Sequence, residues 1–404
     1  MIVLIMEWLG KQAPSVFTYY STRMMLAALT SLAISIFFGP WFIRKLYEMK
    51  IGQSIRTDEC PLLGELHKKK KDTPTMGGIL ILTAMAASLI LWMDPRSSFT
   101  LLLLATTLSL GILGGYDDLM KLKYKNAKGI SGRKKLAIQL LLSLAIAFYL
   151  YIPAVSESIH FGDWFAPPIA KEQQTLVMDT SIRTVAVSQL SLQEYAGQLY
   201  LPFVKGPIVT FSGIFLVLAG LLVILVVTGS SNAVNLTDGL DGLAAGCLVT
   251  ASLALGIFAF VSNHLEIARY LNILYIEGSG EIAIYLSAMF GATLGFLWYN
   301  GYPAQVFMGD TGSLALGGIL GVAAVLLKRE LLLVIIGGVF VAEALSVIIQ
   351  VASYRLRNKK RVFLCSPLHH HYEYKGWPET KVVIRFWIIA LILAVIGIAS
   401  LKFQ

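Results

Sequence analysis

Charged residues are scarce in this chain of 404 residues, since Lys, Arg, Asp and Glu together make up 14%. In a soluble domain, charged residues make up about a quarter of the chain, so the composition argues against an ordinary water-soluble protein. Cysteine is scarce too, and the wide separation of Cys60, Cys247 and Cys365 excludes a disulfide framework and a cysteine-rich metal site. The first nine residues lack a basic leader and a small-residue cleavage site, so we expect no signal peptide.

Apolar residues, in contrast, make up 56% of the chain, and the mean hydropathy is +0.70. Apolar runs of about 18 to 25 residues recur, which is the length that crosses the hydrocarbon layer as a helix. We therefore predict an all-α integral membrane protein, a single polytopic unit over residues 1–404. The ten predicted spans are 20–46, 76–93, 98–117, 135–153, 208–228, 240–261, 281–299, 312–327, 331–354 and 384–402.

The basic residues indicate the orientation of these spans. Of 33 Lys and Arg residues, 23 lie in segments 44–71, 121–135 and 355–385, which the ten spans place on one face. Such a face is cytoplasmic, so the net charge of +9 indicates a membrane protein and no nucleic-acid partner. An even number of spans puts both termini outside. It also makes residues 154–207 a long extracytoplasmic insertion, in which 181–188 alternates as a strand does.

Two adjacent carboxylates, Asp117 and Asp118, stand where the third apolar run meets a basic segment. The C-terminal end of a helix disfavours a carboxylate by up to about 1 kcal/mol, and desolvation near lipid adds to that cost. An i,i+4 ion pair with Lys121 would explain Asp117 as an ordinary helix end, but not Asp118. We therefore predict a functional site here.

A second motif, at the entry to the sixth span, contains Asn235, Asp238 and Asp241. These residues recur every three positions, so they would share one face if the segment is helical. The structural alternative is an N-cap at Asp238 with close packing at the neighbouring glycines, which leaves Asn235 and Asp241 unexplained.

A third motif precedes the eighth span and contains Asn300, Phe307 and Asp310. The N-terminal end of a helix attracts phosphate, and an aspartate there can hold a metal ion that bridges to it. An ordinary N-cap is about as probable from this motif alone, and Phe307 is either a stacking surface for a base or an interface aromatic.

Two further motifs are rich in nitrogen. His369, His370 and His371 are consecutive, so their side chains point apart, and contacts with phosphate or sugar are favoured over a zinc site. The segment 67–78 includes Lys70 and Thr75, and its lysines could simply follow the positive-inside rule. Carboxylates, many cations and no cysteine together suit Mg²⁺ and a polyphosphate, and hence phosphoryl transfer.

The motifs resemble those of the polyprenyl-phosphate N-acetylhexosamine-1-phosphate transferases, from about Arg44 to the C-terminus. This resemblance implies ten transmembrane helices in the bacterial inner membrane, a cytoplasmic active site, a Mg²⁺ cofactor and a homodimer. It implies transfer of phospho-MurNAc-pentapeptide from UDP-MurNAc-pentapeptide to undecaprenyl phosphate, giving lipid I and UMP. The matching stretches are Gly115-Tyr-Asp-Asp-Leu-Met-Lys121, Asn235-Leu-Thr-Asp-Gly-Leu-Asp-Gly-Leu-Ala244, Phe307-Met-Gly-Asp-Thr-Gly-Ser-Leu-Ala-Leu-Gly-Gly318 and Pro367-Leu-His-His-His-Tyr-Glu373.

The resemblance also implies a role for each matching residue. Asp310 would bind Mg²⁺, and Asp117 would be the base or organiser at undecaprenyl phosphate, supported by Asp118. His369 to His371 would contact the sugar-phosphate end, with His370 among the catalytic residues. Asp238 and Asp241 would contact the nucleotide side, with Phe307 stacking near uracil, and Asn235 would also bind substrate. Phosphates or ribose would be held by Lys70, Thr75, Lys121, Lys125 and Asn300. Residues 154–207 depart from the family, which has a short hairpin there.

Three other readings remain open. A related transferase that uses UDP-GlcNAc would share the aspartate motifs, and the run 367–373 and the stretch 376–379 argue against it. A transporter would place charges at mid-membrane and often shows paired repeats, which this chain lacks. A non-catalytic scaffold would not require several aspartates at one interface.

Overall fold

The computed structural model describes residues 1–9, 15–49, 73–124, 129–179 and 182–402, and this part of the chain is mainly helical. Before the insertion lie α1 (Ile2–Leu9), α2 (Tyr20–Glu48), α3 (Gly78–Trp92), α4 (Ser98–Lys123) and α5 (Gly132–Tyr151). After it lie α8 (Leu216–Thr237), α9 (Leu243–Ser262), α10 (Leu265–Leu271), α11 (Gly280–Asn300), α12 (Gly309–Leu326), α13 (Glu330–Ile336), α14 (Gly338–Leu356), α15 (Leu368–Tyr374) and α16 (Glu379–Ala399).

Nine helices of this described part are long and apolar enough to cross a membrane, which indicates a multi-pass membrane protein. Each of the ten predicted spans coincides with a helical stretch. The second, α3, is a shorter apolar helix of 15 residues, and the ninth is interrupted at Gly337 between α13 and α14. The number of crossings and the side on which each terminus lies stay predictions.

Helix α12 is the centre of the bundle, and every one of its residues beyond Gly309 is buried. It packs against α4 and α8 and also contacts α3 and α9. A helix that is apolar on all sides suits such a position, because it meets protein in every direction. The N-terminal end of this central helix carries Asp310.

The insertion forms α6 (Pro153–Ile159), β1 (Ala170–Asp179), β2 (Ile182–Leu190), α7 (Leu192–Gly197) and β3 (Gln198–Tyr200), and β4 (Pro207–Thr210) follows it. Residues 182–188 of the alternating stretch fall in β2, as predicted, and residue 181 lies outside the described residues. Strand β2 pairs antiparallel with β1 from Ala170↔Leu190 onward. The short strand β5 (Tyr275–Ile276) joins the other edge of β1, and β3 pairs with β4. Because 207–210 is a strand, the predicted start of the fifth span at 208 is wrong, and its helix, α8, starts at Leu216.

The insertion is anchored where α12 meets α13. Lys328, Arg329 and Glu330 are all buried there. The Lys328 ammonium lies 2.5 Å from Glu330 and donates to the carbonyl of Ala196 in α7 at 3.0 Å. The Tyr195 hydroxyl donates to the carbonyl of Leu326, at the end of α12. The insertion therefore covers a buried charged connection.

Candidate active site

Three carboxylates from two helices meet at one point. Oxygen atoms of Asp117 and Asp118 on α4 and of Asp310 on α12 lie within 4.8 Å of one another, and all three residues are buried. The helices approach closely because residue 114 is glycine: a Cβ atom there would lie 2.1 Å from the carbonyl oxygen of Asp310. The predicted convergence of separate aspartate motifs is therefore present in the structure.

Two lysines neutralise this cluster. The Lys121 ammonium lies 2.7 Å from Asp117 and 2.9 Å from Asp310, and the Lys135 ammonium lies 2.8 Å and 2.5 Å from the same two carboxylates. The i,i+4 pair of Asp117 with Lys121 is thus real, but it belongs to a larger network. Lys135 is not among the predicted site residues, because it lies in a basic run that the positive-inside rule already explains. Its place near the start of α5 was the available signal.

Asp118 has a different role from its neighbours. Its carboxylate accepts hydrogen bonds from the backbone N–H of Asp310 at 3.2 Å, from the N–H of Thr311 at 3.0 Å and from the Thr311 hydroxyl at 2.7 Å. These N–H groups begin α12, where negative charge is favourable. The expected dipole penalty at the end of α4 is therefore wrong for Asp118, because α4 continues to Lys123 and the nearest helix end is the N-terminus of α12.

The donor set fits a divalent cation. Both oxygens of Asp310 and Oδ2 of Asp117 face ammonium groups, so a metal ion could take over charge that the lysines now balance. The other Asp117 oxygen accepts the N–H of Ile130 at 2.6 Å, which fixes the carboxylate. Such oxygen ligands with phosphate nearby are the kind of site that Mg²⁺ prefers. Asp310 and Asp117 are the residues best placed to hold it.

The second motif is a turn and not a continuous helix, so the shared face expected for its three polar residues does not exist. Helix α8 ends at Thr237, Gly242 has a positive φ of 78°, and α9 starts at Leu243. Asn235 donates to the Ser313 hydroxyl of α12 at 2.8 Å. Asp238 follows α8 and is no N-cap; burial, with repulsion from the Asp310 and Asp118 carboxylates, raises its pKa to about 7.

Asp241 and Asn300 brace this turn from within. Asp241 accepts the N–H of Ala304 at 3.0 Å. Asn300 accepts the N–H of Gly242 at 3.1 Å and donates to the carbonyl of Val306 at 2.8 Å. Both side chains are buried, so the structure gives these two predicted substrate contacts an internal role.

The segment before α3 packs against the segment before α12. The N–H of Phe307 donates to the carbonyl of Pro74 at 2.8 Å, and the N–H of Gly77 donates to the carbonyl of Phe307 at 2.7 Å. Thr75 is buried beside Gly309: a Cβ atom on that glycine would lie 2.9 Å from the Thr75 hydroxyl. Thr75 and half-buried Phe307 thus border the start of α12. The predicted residues Lys70 and Lys125 lie outside the described residues.

The three histidines have three different neighbours. His369 is fully buried beside Glu343 of α14. The Nδ1 atom of half-buried His370 lies 2.7 Å from Glu373. His371 accepts the N–H of Leu364 at 3.1 Å, and partial burial, with the positive charge of Lys375, lowers the pKa of its ring. The three rings therefore do not share one ligand.

An apolar groove of about 570 Å³ runs between α3 and α4. Its lining includes Leu108, Ile112, Gly115 and Leu119 on α4 and Thr311 on α12. The Thr311 hydroxyl donates to Asp118, so this part of the lining contacts the carboxylate cluster. The groove therefore connects an exposed apolar surface of α4 with the polar site.

Comparison with known proteins identifies the class first. The family model described as "Glycosyl transferase family 4" matches residues 100–328, which include α4 with its two aspartates and α12 with Asp310. A signature described as "Phospho-N-acetylmuramoyl-pentapeptide-transferase signature 1" matches residues 70–82.

Full-length relatives then identify the family within this class. A phospho-N-acetylmuramoyl-pentapeptide-transferase of Protochlamydia amoebophila is 66% identical over 410 residues, covering 100% of both chains. Enzymes of the same name from Desulfotalea psychrophila and Neisseria gonorrhoeae are each 43% identical over 96% of both chains. The chain belongs to the phospho-N-acetylmuramoyl-pentapeptide-transferase family. The family resemblance seen in the motifs is therefore confirmed.

Proposed function

We propose that the protein transfers phospho-MurNAc-pentapeptide from UDP-MurNAc-pentapeptide to undecaprenyl phosphate, giving lipid I and UMP, the first membrane step of peptidoglycan synthesis. Family membership supports the reaction. The observation that carries the proposal is the meeting of Asp117 and Asp310 with Lys121 and Lys135, since anionic and cationic groups at one point suit a metal-bound diphosphate.

In this proposal the residues position and neutralise phosphates. Asp310 and Asp117 would hold Mg²⁺, which when bound would offset charge on the diphosphate and on departing UMP. Lys121 and Lys135 would then be released to bind phosphate oxygens. Asp118 keeps the first turn of α12, and with it Asp310, in place.

The chemical step is direct attack by a phosphate oxygen of the lipid on the β-phosphorus of the UDP-sugar. A new P–O bond forms as the bond between that phosphorus and the UMP oxygen breaks, so no further reactant is needed. The alternative is a covalent phospho-aspartate intermediate on Asp117. A burst of one UMP per enzyme without lipid acceptor would favour that alternative.

The lipid acceptor explains the groove between α3 and α4. A polyprenyl chain could enter it from the bilayer, and Thr311 in its lining lies next to the site that would receive the phosphate. Its volume lies in the range of ordinary ligand pockets, about 300 to 1,000 Å³.

We also propose the membrane topology that the sequence predicts. The chain would have ten spans, with both termini and the 154–207 insertion outside. The site would lie on the cytoplasmic face of the bacterial inner membrane, and the protein would be a homodimer.

Release of UMP is the test. The purified protein should release UMP only with UDP-MurNAc-pentapeptide, undecaprenyl phosphate and Mg²⁺ together, and chelation of the metal should stop it. Turnover with UDP-GlcNAc in place of the pentapeptide donor would instead identify the related GlcNAc-1-phosphate transferase. No UMP release with either donor would contradict the transferase proposal.

A further inference from the structure

A buried carboxylate–imidazole pair lies behind the turn between α8 and α9. Glu343 of α14 and His369 of α15 are both fully buried. The backbone N–H of His369 donates to one Glu343 oxygen at 3.1 Å, and the His369 Nδ1 atom lies 3.2 Å from the other oxygen. The first contact is a hydrogen bond that ties the start of α15 to α14, and the second is a close approach that holds the ring beside the carboxylate.

The opposite edge of this ring meets the turn itself. A Cβ atom at position 239 would lie 2.3 Å from the His369 Nε2 atom and 3.0 Å from Cε1, so the ring packs directly on the backbone of Gly239. Gly239 follows Asp238, and Gly242 at the end of the turn is held by Asn300. The ring therefore supports one side of the turn while Asn300 supports the other.

Stability alone does not explain this pair. Within the described part of the chain, both ring nitrogens of His369 and the Oε2 atom of Glu343 are buried without a hydrogen-bond partner, which costs free energy. Apolar residues of similar volume often replace a buried polar pair without loss of stability, so the pair needs a reason other than cohesion. Its geometry supplies one, because the fixed ring determines how closely the turn can approach α15.

We propose that Glu343 and His369 are positioning residues that set the turn carrying Asp238 for the UDP-linked donor. This inference rests on the proposed function, in which Asp238 lies on the nucleotide side. The proposal changes the predicted role of His369. Its ring supports the turn by packing on Gly239 and does not touch the substrate.

The test compares the KM values for the two substrates. Gly239→Ala would push the turn away from the ring, and it should raise the KM for UDP-MurNAc-pentapeptide about tenfold while the KM for undecaprenyl phosphate stays within about twofold. Gly229→Ala is the matched control in α8, because a Cβ atom there has no neighbour within 4 Å, and both KM values should stay unchanged. Thermal unfolding of each variant verifies the fold.

A double-mutant cycle tests whether the pair acts as a unit. Glu343→Ala and His369→Ala should each raise the donor KM. The donor KM of the double variant should be no higher than that of the more impaired single variant. Glu343→Gln should recover most of the loss, because its carbonyl oxygen can still accept the backbone N–H of His369 and its size is unchanged. Multiplicative losses in the double variant, or equal increases in both KM values with a lower unfolding temperature, would overturn the proposal.

Different results would contradict the proposed function and the positioning role. An unmodified protein that does not use the pentapeptide donor contradicts the proposed function. An active unmodified protein whose donor KM is unaffected by Gly239→Ala contradicts the positioning role alone.

Discussion

The two ends of α12 both carry charged residues, but they differ in what those residues can reach. At the start, the side chains of Lys121, Lys135 and Asp310 keep 24%, 17% and 13% of their surface exposed. At the other end, Lys328 and Glu330 keep 4% and 1%. The first end can therefore exchange an internal ion pair for a ligand, whereas the second is closed by the insertion.

The difference shows that a buried charge near a membrane is not by itself a site. The pair at the far end joins α7 to the end of α12, because Lys328 contacts both Glu330 and the carbonyl of Ala196. The cluster at the near end has two cations shared among carboxylates from different helices, which leaves a choice of partners. That choice is what a binding site for metal and phosphate requires.

The largest effect on turnover is expected from Asp310→Asn. This change removes the carboxylate that both lysines contact at the start of α12, and kcat should fall by about 100-fold or more. The asparagine keeps the size of the side chain, and the partly exposed Lys121 and Lys135 keep Asp117 as a partner, so the unfolding temperature should stay close to that of the unmodified protein. Near-normal UMP release would remove Asp310 from the metal site.

A smaller loss of turnover, combined with lower stability, is expected from Asp118→Ala. The first N–H groups of α12 would lose their acceptor while buried, at a cost of about 1 to 3 kcal/mol. UMP release should fall about tenfold because Asp310 is no longer held, and thermal unfolding should begin at lower temperature. Unchanged stability would show that Asp118 does not cap the helix.

Glu330→Gln, at the far end of α12, should lower stability and leave turnover nearly unchanged. Lys328 would remain buried without its counter-ion, and breaking such a pair costs about 3 kcal/mol. Thermal unfolding should therefore begin at clearly lower temperature, while kcat of the folded protein changes by less than about twofold. A large fall in kcat at a temperature where the variant is folded would mean that the two ends are not independent.

The smallest effect concerns pH. The carboxyl of Asp238 has its pKa raised to about 7, so it gains a proton as the pH falls through neutrality, and its negative charge no longer assists a cation beside Asp310. The affinity for Mg²⁺, measured by calorimetry, should decrease modestly from pH 8 to pH 6, by less than about tenfold. Asp238→Asn should bind Mg²⁺ more weakly and lose this part of the dependence.

The sequence predicted the features that depend on composition and local pattern. Apolar runs located the helices, alternation located the strand β2, and the aspartate motifs located the cluster. It could not predict Lys135, because a lysine in a basic loop looks the same whether it faces lipid head groups or a carboxylate. It also left open whether Asn235, Asp238 and Asp241 share one helix. A turn separates them, and the contacts that hold this turn come from distant residues such as Asn300.

The contact between Gly114 and the Asp310 backbone has a consequence for genetic screens. A methyl group at position 114 would displace the central helix without altering any charged atom. Gly78 is in the same situation, since its Cβ atom would lie 2.2 Å from the nitrogen of Gly312. Loss-of-function alleles should therefore appear at both glycines as often as at the aspartates, and sequence tolerance alone would misassign them as ligand-binding positions.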